Sequence, residues 1–175
     1  MQSKEKLIIL SDLWGTKNAE WINFYFSHLE NHFNIEFLDS CVLGKIDLPA
    51  ADEKIRHQQF VSSGIDEAVS ELKKQKNTSH ILGFSVGGTI AWKANRSGLN
   101  AEKLFLISAT RIRYENEKPA GEIHLVFGGD DSFKPDAAWF QKMDLPVLLF
   151  QNEGHDCYRQ EEYARRICEL IAANK

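Results

Sequence analysis

Ser85 lies in the stretch Gly83-Phe84-Ser85-Val86-Gly87, with Gly88 directly behind it. An apolar run (Ile81, Leu82) leads into it, and a helical pattern (Thr89, Ile90, Ala91, Trp92, Ala94) leads out. A serine on so tight a strand-to-helix turn has a strained backbone that thrusts its hydroxyl outward. Small residues two positions before and after it keep strand and helix from clashing. The helix behind it presents the positive end of its dipole, and the Val86 N–H points to where an oxyanion would form. The chemistry implied is nucleophilic attack on a carbonyl. Gly83, Gly87 and Gly88 do not have the G-x-G-x-x-G spacing of a dinucleotide site.

A serine nucleophile needs a base, and the base needs a group to orient it. The chain has six histidines. His28 and His32 fall in one helical pattern and His57 near the start of another. His80 and His124 fall in apolar runs. These five read as structural or surface residues. His155 alone comes just past the end of an apolar run, in Phe150-Gln151-Asn152-Glu153-Gly154-His155. Two acids follow the preceding run, in Val126-Phe127-Gly128-Gly129-Asp130-Asp131. An acid and a histidine just past successive strands would share one sheet edge with Ser85.

The elements that must hold these groups show in the hydropathy pattern. Six short apolar runs span 7–10, 35–38, 80–84, 104–107, 123–127 and 147–150, as expected of strands buried on both faces of a parallel sheet. Between them lie amphipathic stripes: Ile22, Phe26, Leu29 and Phe33; Val61, Ile65, Ala68, Val69 and Leu72; Tyr163, Ile167, Leu170 and Ile171. Asn18 is positioned to cap the first helix, Gly98 to close the one after Ser85, and Pro146 to precede the last strand. Residues 108–122, with Thr110, Pro119 and Gly121, show no apolar period and read as a loop. Residues 40–56, with Gly44 and Pro49, read as irregular and sit where open α/β sheets bind ligands. The alternation predicts an α/β fold of three α/β/α layers around a mostly parallel sheet of about six strands.

Length and composition bound the rest. At 175 residues, 43% hydrophobic and 26% charged, the chain is expected to form one globular domain over 1–175. A net charge of -4 leaves no basic surplus for nucleic acid. The three cysteines form no CxxC pair, so neither a metal site nor a disulfide framework is expected. No apolar run approaches the roughly 20 residues of a membrane span, and no secretory leader is evident, so a cytoplasmic location is expected.

The strand–turn–helix around Ser85, the Gly128-Gly129-Asp130-Asp131 turn and the Gly154-His155 turn together resemble the α/β-hydrolase superfamily. The similarity extends from Leu7 to the last helix and is greatest to its small, lidless serine hydrolases. The resemblance implies Ser85, Asp131 and His155 as a catalytic triad, with Asp130 a solvated neighbour. It implies an oxyanion hole from the backbone N–H groups of Val86 and Leu13, with Trp14 as the off-by-one alternative. Asp12 stands where the family has a small residue, so its carboxylate is expected to turn away and bond nearby backbone N–H groups. The usual first two strands and the lid are missing, which implies an open site bordered by residues 109–121. Arg111 and Arg113 on that loop could hold a substrate carboxylate or phosphate, or be solvated. Trp14, Phe133 and Trp139 could line an apolar pocket or pack in the core. Cys157 reads as structural. The activity implied is cleavage of an ester or thioester of a small acyl substrate, without metal or cofactor. An acyltransferase with the same triad, or a binding protein that keeps the fold, are the alternatives.

Overall fold

The computed structural model describes residues 4–47 and 52–175. Pro49 lies outside the described residues. The six expected strands are present as β1 (Glu5–Leu10), β2 (Phe33–Leu38), β3 (His80–Phe84), β4 (Lys103–Ile107), β5 (Glu122–Gly128) and β6 (Val147–Phe150). They form one sheet in the order β2-β1-β3-β4-β5-β6, and every neighbouring pair is parallel. β3 is buried along its whole length, which is why its sequence carries no polar alternation.

Helices cover both faces. α1 (Ile22–Leu29) and α7 (Glu161–Ala173) pack on one, where Tyr25, Leu29, Ile167 and Ile171 meet Leu7, Ile9, Leu82 and Phe84. On the other face lie α2 (Ser40–Leu43), α3 (Glu53–Gln59), α4 (Ile65–Leu72), α5 (Val86–Ala94) and α6 (Ala137–Met143). There Phe60, Ile65, Leu72, Ile90 and Met143 meet Ile8, Leu10, Ile81 and Leu104. The chain leaves β1 through α1 on one face and returns to β3 through α2–α4 on the other. β1 and β3 are neighbours, so the strand order reverses between them. In open α/β sheets that reversal opens a crevice at the carboxyl ends of the strands.

Three local expectations change. Asn18 does not cap α1: it adopts φ 54° in a turn, and the residue before the helix is Trp21, which makes no side-chain cap. Phe33 belongs to β2, not to the stripe of α1. Residues 40–56 are partly helical. Asp39 caps α2 by accepting from Cys41 and Val42 N–H, and Asp52 caps α3 by accepting from Lys54 and Ile55 N–H. A π-helical turn at Phe60–Gly64 joins α3 to α4. Residues 108–122 hold one 3-10 turn, Ile112–Tyr114. Among the described residues no helix is long and apolar enough to cross a membrane.

Candidate active site

Ser85 sits between β3 and α5 with φ 52° and ψ -116°, the strained conformation expected of the turn. Its N–H donates to the Ile107 carbonyl at 2.9 Å, which ties the turn to the end of β4. The glycines are there for lack of space. A Cβ on Gly83 would lie 2.7 Å from the Gly87 oxygen and the Gly88 Cα. One on Gly88 would lie 2.7 Å from Ala109 Cβ, and one on Gly87 would collide with the Ser11 carbonyl.

The other two groups arrive from the ends of β5 and β6. Gly129 N–H donates to the Phe150 carbonyl at 2.8 Å and Asp130 N–H to the Glu153 carbonyl at 2.9 Å, so the two loops nest together. A side chain at Gly128 would collide with the Glu153 and Gly154 oxygens. Asp131 is buried, while Asp130 is exposed. Asp131 Oδ1 accepts from Phe133 N–H at 2.8 Å, and Oδ2 lies 2.9 Å from His155 Nδ1. His155 Nε2 lies 3.0 Å from Ser85 Oγ. The imidazole is thus held between carboxylate and hydroxyl. The Phe133 ring stands edge-on to it, 5.1 Å between centroids. In this geometry Nδ1–H donates to Asp131, leaving Nε2 to accept the serine proton.

Leu13 and Val86 both border the cavity above Ser85, and neither N–H has an acceptor among the described residues. Trp14 N–H is taken, donating to Asp12 Oδ1 at 3.0 Å, so of the two candidate donors it is Leu13 that keeps a free N–H. Asp12 bonds a nearby backbone N–H as expected, yet it still borders the cavity. Its second oxygen has partners the sequence does not advertise: Tyr158 Oη donates to Oδ2 at 3.0 Å and Arg159 Nη2 at 2.6 Å. Burial, and then Asp12, push the Tyr158 hydroxyl well above its ordinary value, so it stays a donor. Burial is the largest influence on Arg159 and works against its charge, but Asp12 together with its other neighbours outweighs it and leaves the guanidinium pKa raised. The Asp12 carboxylate is thus compensated. The same loop is anchored to α2: Ser40 N–H donates to Ser11 Oγ at 2.8 Å, Ser40 Oγ to the Ser11 carbonyl at 2.6 Å, and Thr16 N–H to Asp39 Oδ2 at 2.7 Å.

Trp14, Arg111, Arg113 and Phe133 all border the cavity. Trp139 does not. It is buried on α6 against Trp92 and donates its indole N–H to the Glu115 carbonyl, so it is a core residue. His57, Phe60, Val61 and Ile65 form a wall of the cavity. His57, read from its position as a structural or surface residue, is thus part of the cavity. Cys157 is buried, and burial pushes its thiol up to about 11, which removes it as a competing nucleophile near neutral pH. No cluster of metal-ligating side chains occurs among the described residues.

This architecture, a six-stranded parallel sheet with a strained serine turn after the third strand and an aspartate and a histidine after the fifth and sixth, is the α/β-hydrolase fold. No family model matches the chain, and no curated protein matches it in sequence. Solved structures do. A candidate hydrolase of the alpha/beta superfamily from Xanthomonas campestris pv. campestris superposes with a TM-score of 0.71 at 19% identity, covering 97% of this chain and 99% of that one. The esterase domain of a Rhodothermus marinus protein does so with a TM-score of 0.66 at 12% identity, covering 99% and 87%. A dienelactone hydrolase-like promiscuous phosphotriesterase from metagenomic libraries gives 0.59 at 13% identity, covering 99% and 87%.

Proposed function

We propose that the protein is a serine hydrolase that cleaves an ester or thioester of a small molecule through an acyl-enzyme. The observation that carries this reading is the unbroken relay from Asp131 to His155 to Ser85, at 2.9 Å and 3.0 Å, on a strained serine turn. Ser85 Oγ attacks the acyl carbonyl as His155 Nε2 takes its proton. Asp131 keeps the imidazole in the required tautomer and stabilises the imidazolium. The Leu13 and Val86 N–H groups meet the oxyanion of the tetrahedral intermediate. The imidazolium then gives its proton to the leaving oxygen or sulfur, and the acyl group stays on Ser85. A water deprotonated by His155 attacks the acyl-enzyme, and Ser85 recovers its proton as the acid departs. The esterase and hydrolase neighbours support the reading at the level of the fold.

A fluorophosphonate probe tests it, because such probes react with serines activated in this way. The wild-type chain should label and Ser85→Ala should not. His155→Ala should label slowly and lose on the order of 10⁶-fold in ester turnover. A folded wild-type protein that resists the probe and turns over no p-nitrophenyl ester or acyl thioester overturns the proposal.

A further inference from the structure

Three arginines and two carboxylates border the cavity above Ser85: Arg111, Arg113, Arg159, Asp12 and Glu53. The arginines differ in what their guanidinium groups already hold. Arg159 is neutralised by Asp12 at 2.6 Å. Arg113 spends its donors on neutral oxygens: the Thr110 carbonyl, the Phe133 carbonyl at 2.9 Å and Tyr114 Oη at 3.0 Å. It works as a tie between the 109–121 loop and Phe133. Arg111 is half-buried, and among the described residues no carboxylate pairs with its guanidinium and no acceptor takes its N–H groups. Glu53, in the first turn of α3, does not reach it.

Arg111 is nevertheless fixed in place. Its backbone N–H donates to Thr89 Oγ1 of α5 at 3.2 Å. The neighbouring Thr110 N–H points at the Ser85 carbonyl, 3.4 Å away. The Tyr114 ring lies 5.0 Å from the Arg111 guanidinium and 4.5 Å from that of Arg113, so both cations rest against one aromatic ring. Half-burying a cation without a counter-ion is unfavourable, and that cost is removed when an anion enters. A positioned guanidinium fork matches a planar carboxylate, and one uncompensated charge suits a monoanion.

We infer that Arg111 anchors a carboxylate on the substrate, so that the preferred substrates are esters or thioesters bearing a free acid group. This rests on the hydrolase reading above for the bond that is cleaved. The test compares kcat/KM for mono-p-nitrophenyl esters of adipic, pimelic and suberic acid with neutral p-nitrophenyl hexanoate. It also compares 3-carboxyphenyl butyrate with phenyl butyrate, so that the acid is offered on either side of the scissile bond. In at least one series the wild type should favour the acid-bearing ester by roughly 10-fold or more. Arg111→Met should cut that preference by roughly 10- to 100-fold, chiefly through KM, the worth of one charge-assisted contact. Arg111→Lys should restore part of it. A wild type with no preference in any series, or a preference untouched in Arg111→Met, overturns the inference while leaving the hydrolase reading standing. Calorimetry with Ser85→Ala protein separates the two. Adipate half-ester should bind it, and Ser85→Ala/Arg111→Met protein should lose that binding. If binding needs Arg111 but the wild type cleaves nothing, the subsite stands and the hydrolase reading falls.

Discussion

At the residue scale, the main departure is Asp12, a carboxylate beside the position where negative charge would develop. The structure shows how it is accommodated. One oxygen accepts from Trp14 N–H, and the other is covered by Tyr158 and Arg159 from the histidine loop. In the proposed mechanism Asp12 acts as a positioning residue: it bonds within the turn that leaves Leu13 N–H free, and it fastens that turn to the loop carrying His155. Its variants should separate these tasks. Asp12→Asn keeps an oxygen for Trp14 N–H and should retain most of kcat. Asp12→Ala removes that acceptor, lets the turn relax and should lower kcat by about 10- to 100-fold with little change in KM, within the range for losing one oxyanion donor. Both should lose stability, because Arg159 keeps its charge without its nearest carboxylate, though its partial exposure and Asp156 at 3.9 Å temper the loss. Equal kcat in the two variants would show that Asp12 does not set the turn. Ser85, Asp131 and His155 were legible because strained turns and strand ends leave local signatures. Tyr158 and Arg159 were not, since their partner is about 150 positions away in sequence and no periodicity reports such a contact.

The six strands were legible at the element scale because two-sided burial demands unbroken apolar runs. The α3 wall was not. Its sequence, EKIRHQQ, has no apolar stripe, and its core-facing residue is Arg56, buried and 3.2 Å from Cys41 Sγ. The π-helical turn after it shifts Val61 and Ile65 off a regular helical spacing. Elements also couple through backbone contact. Gly87, in the first turn of α5, touches the end of β1, where a side chain would meet the Ser11 carbonyl and Leu10 Cβ. Gly87→Ala should therefore push apart the helix bearing Val86 N–H and the loop bearing Leu13 N–H. The expected result is a stability loss of about 1–3 kcal/mol, typical of overpacking, together with a fall in kcat. Urea unfolding and ester turnover on the same samples check it. Unchanged turnover in a folded Gly87→Ala protein would mean the two donors are not spaced by this contact.

At the scale of the whole molecule, the reversal of strand order between β1 and β3 gathers the loops after β1, β3, β4, β5 and β6 over one edge of the sheet. His80 lies at the opposite end of the sheet, at the start of β3. It is buried, with its ring between Phe33 and Phe105 at centroid distances of 5.3 Å and 6.4 Å. Neither ring nitrogen has a hydrogen-bond partner, and the Glu5 carboxylate stands 3.7 Å from Nε2. Burial pulls its pKa below the ordinary 6.5, a loss that Glu5 only partly offsets. In the window between that lowered value and 6.5, the unfolded chain binds the proton and the folded chain does not. Unfolding free energy must then fall as pH drops through the window and level off once the folded imidazole also protonates. His80→Phe, which fits between two phenylalanines, removes this proton linkage without removing the packing. Urea midpoints measured on either side of 6.5 should show a shallower acid slope in His80→Phe than in wild type. Parallel slopes would show that His80 takes up its proton equally well in the folded core. Because the site lies at the far edge of the sheet, the substitution should leave ester turnover at neutral pH near its wild-type value, so a change in turnover would mean the two ends of the sheet are coupled.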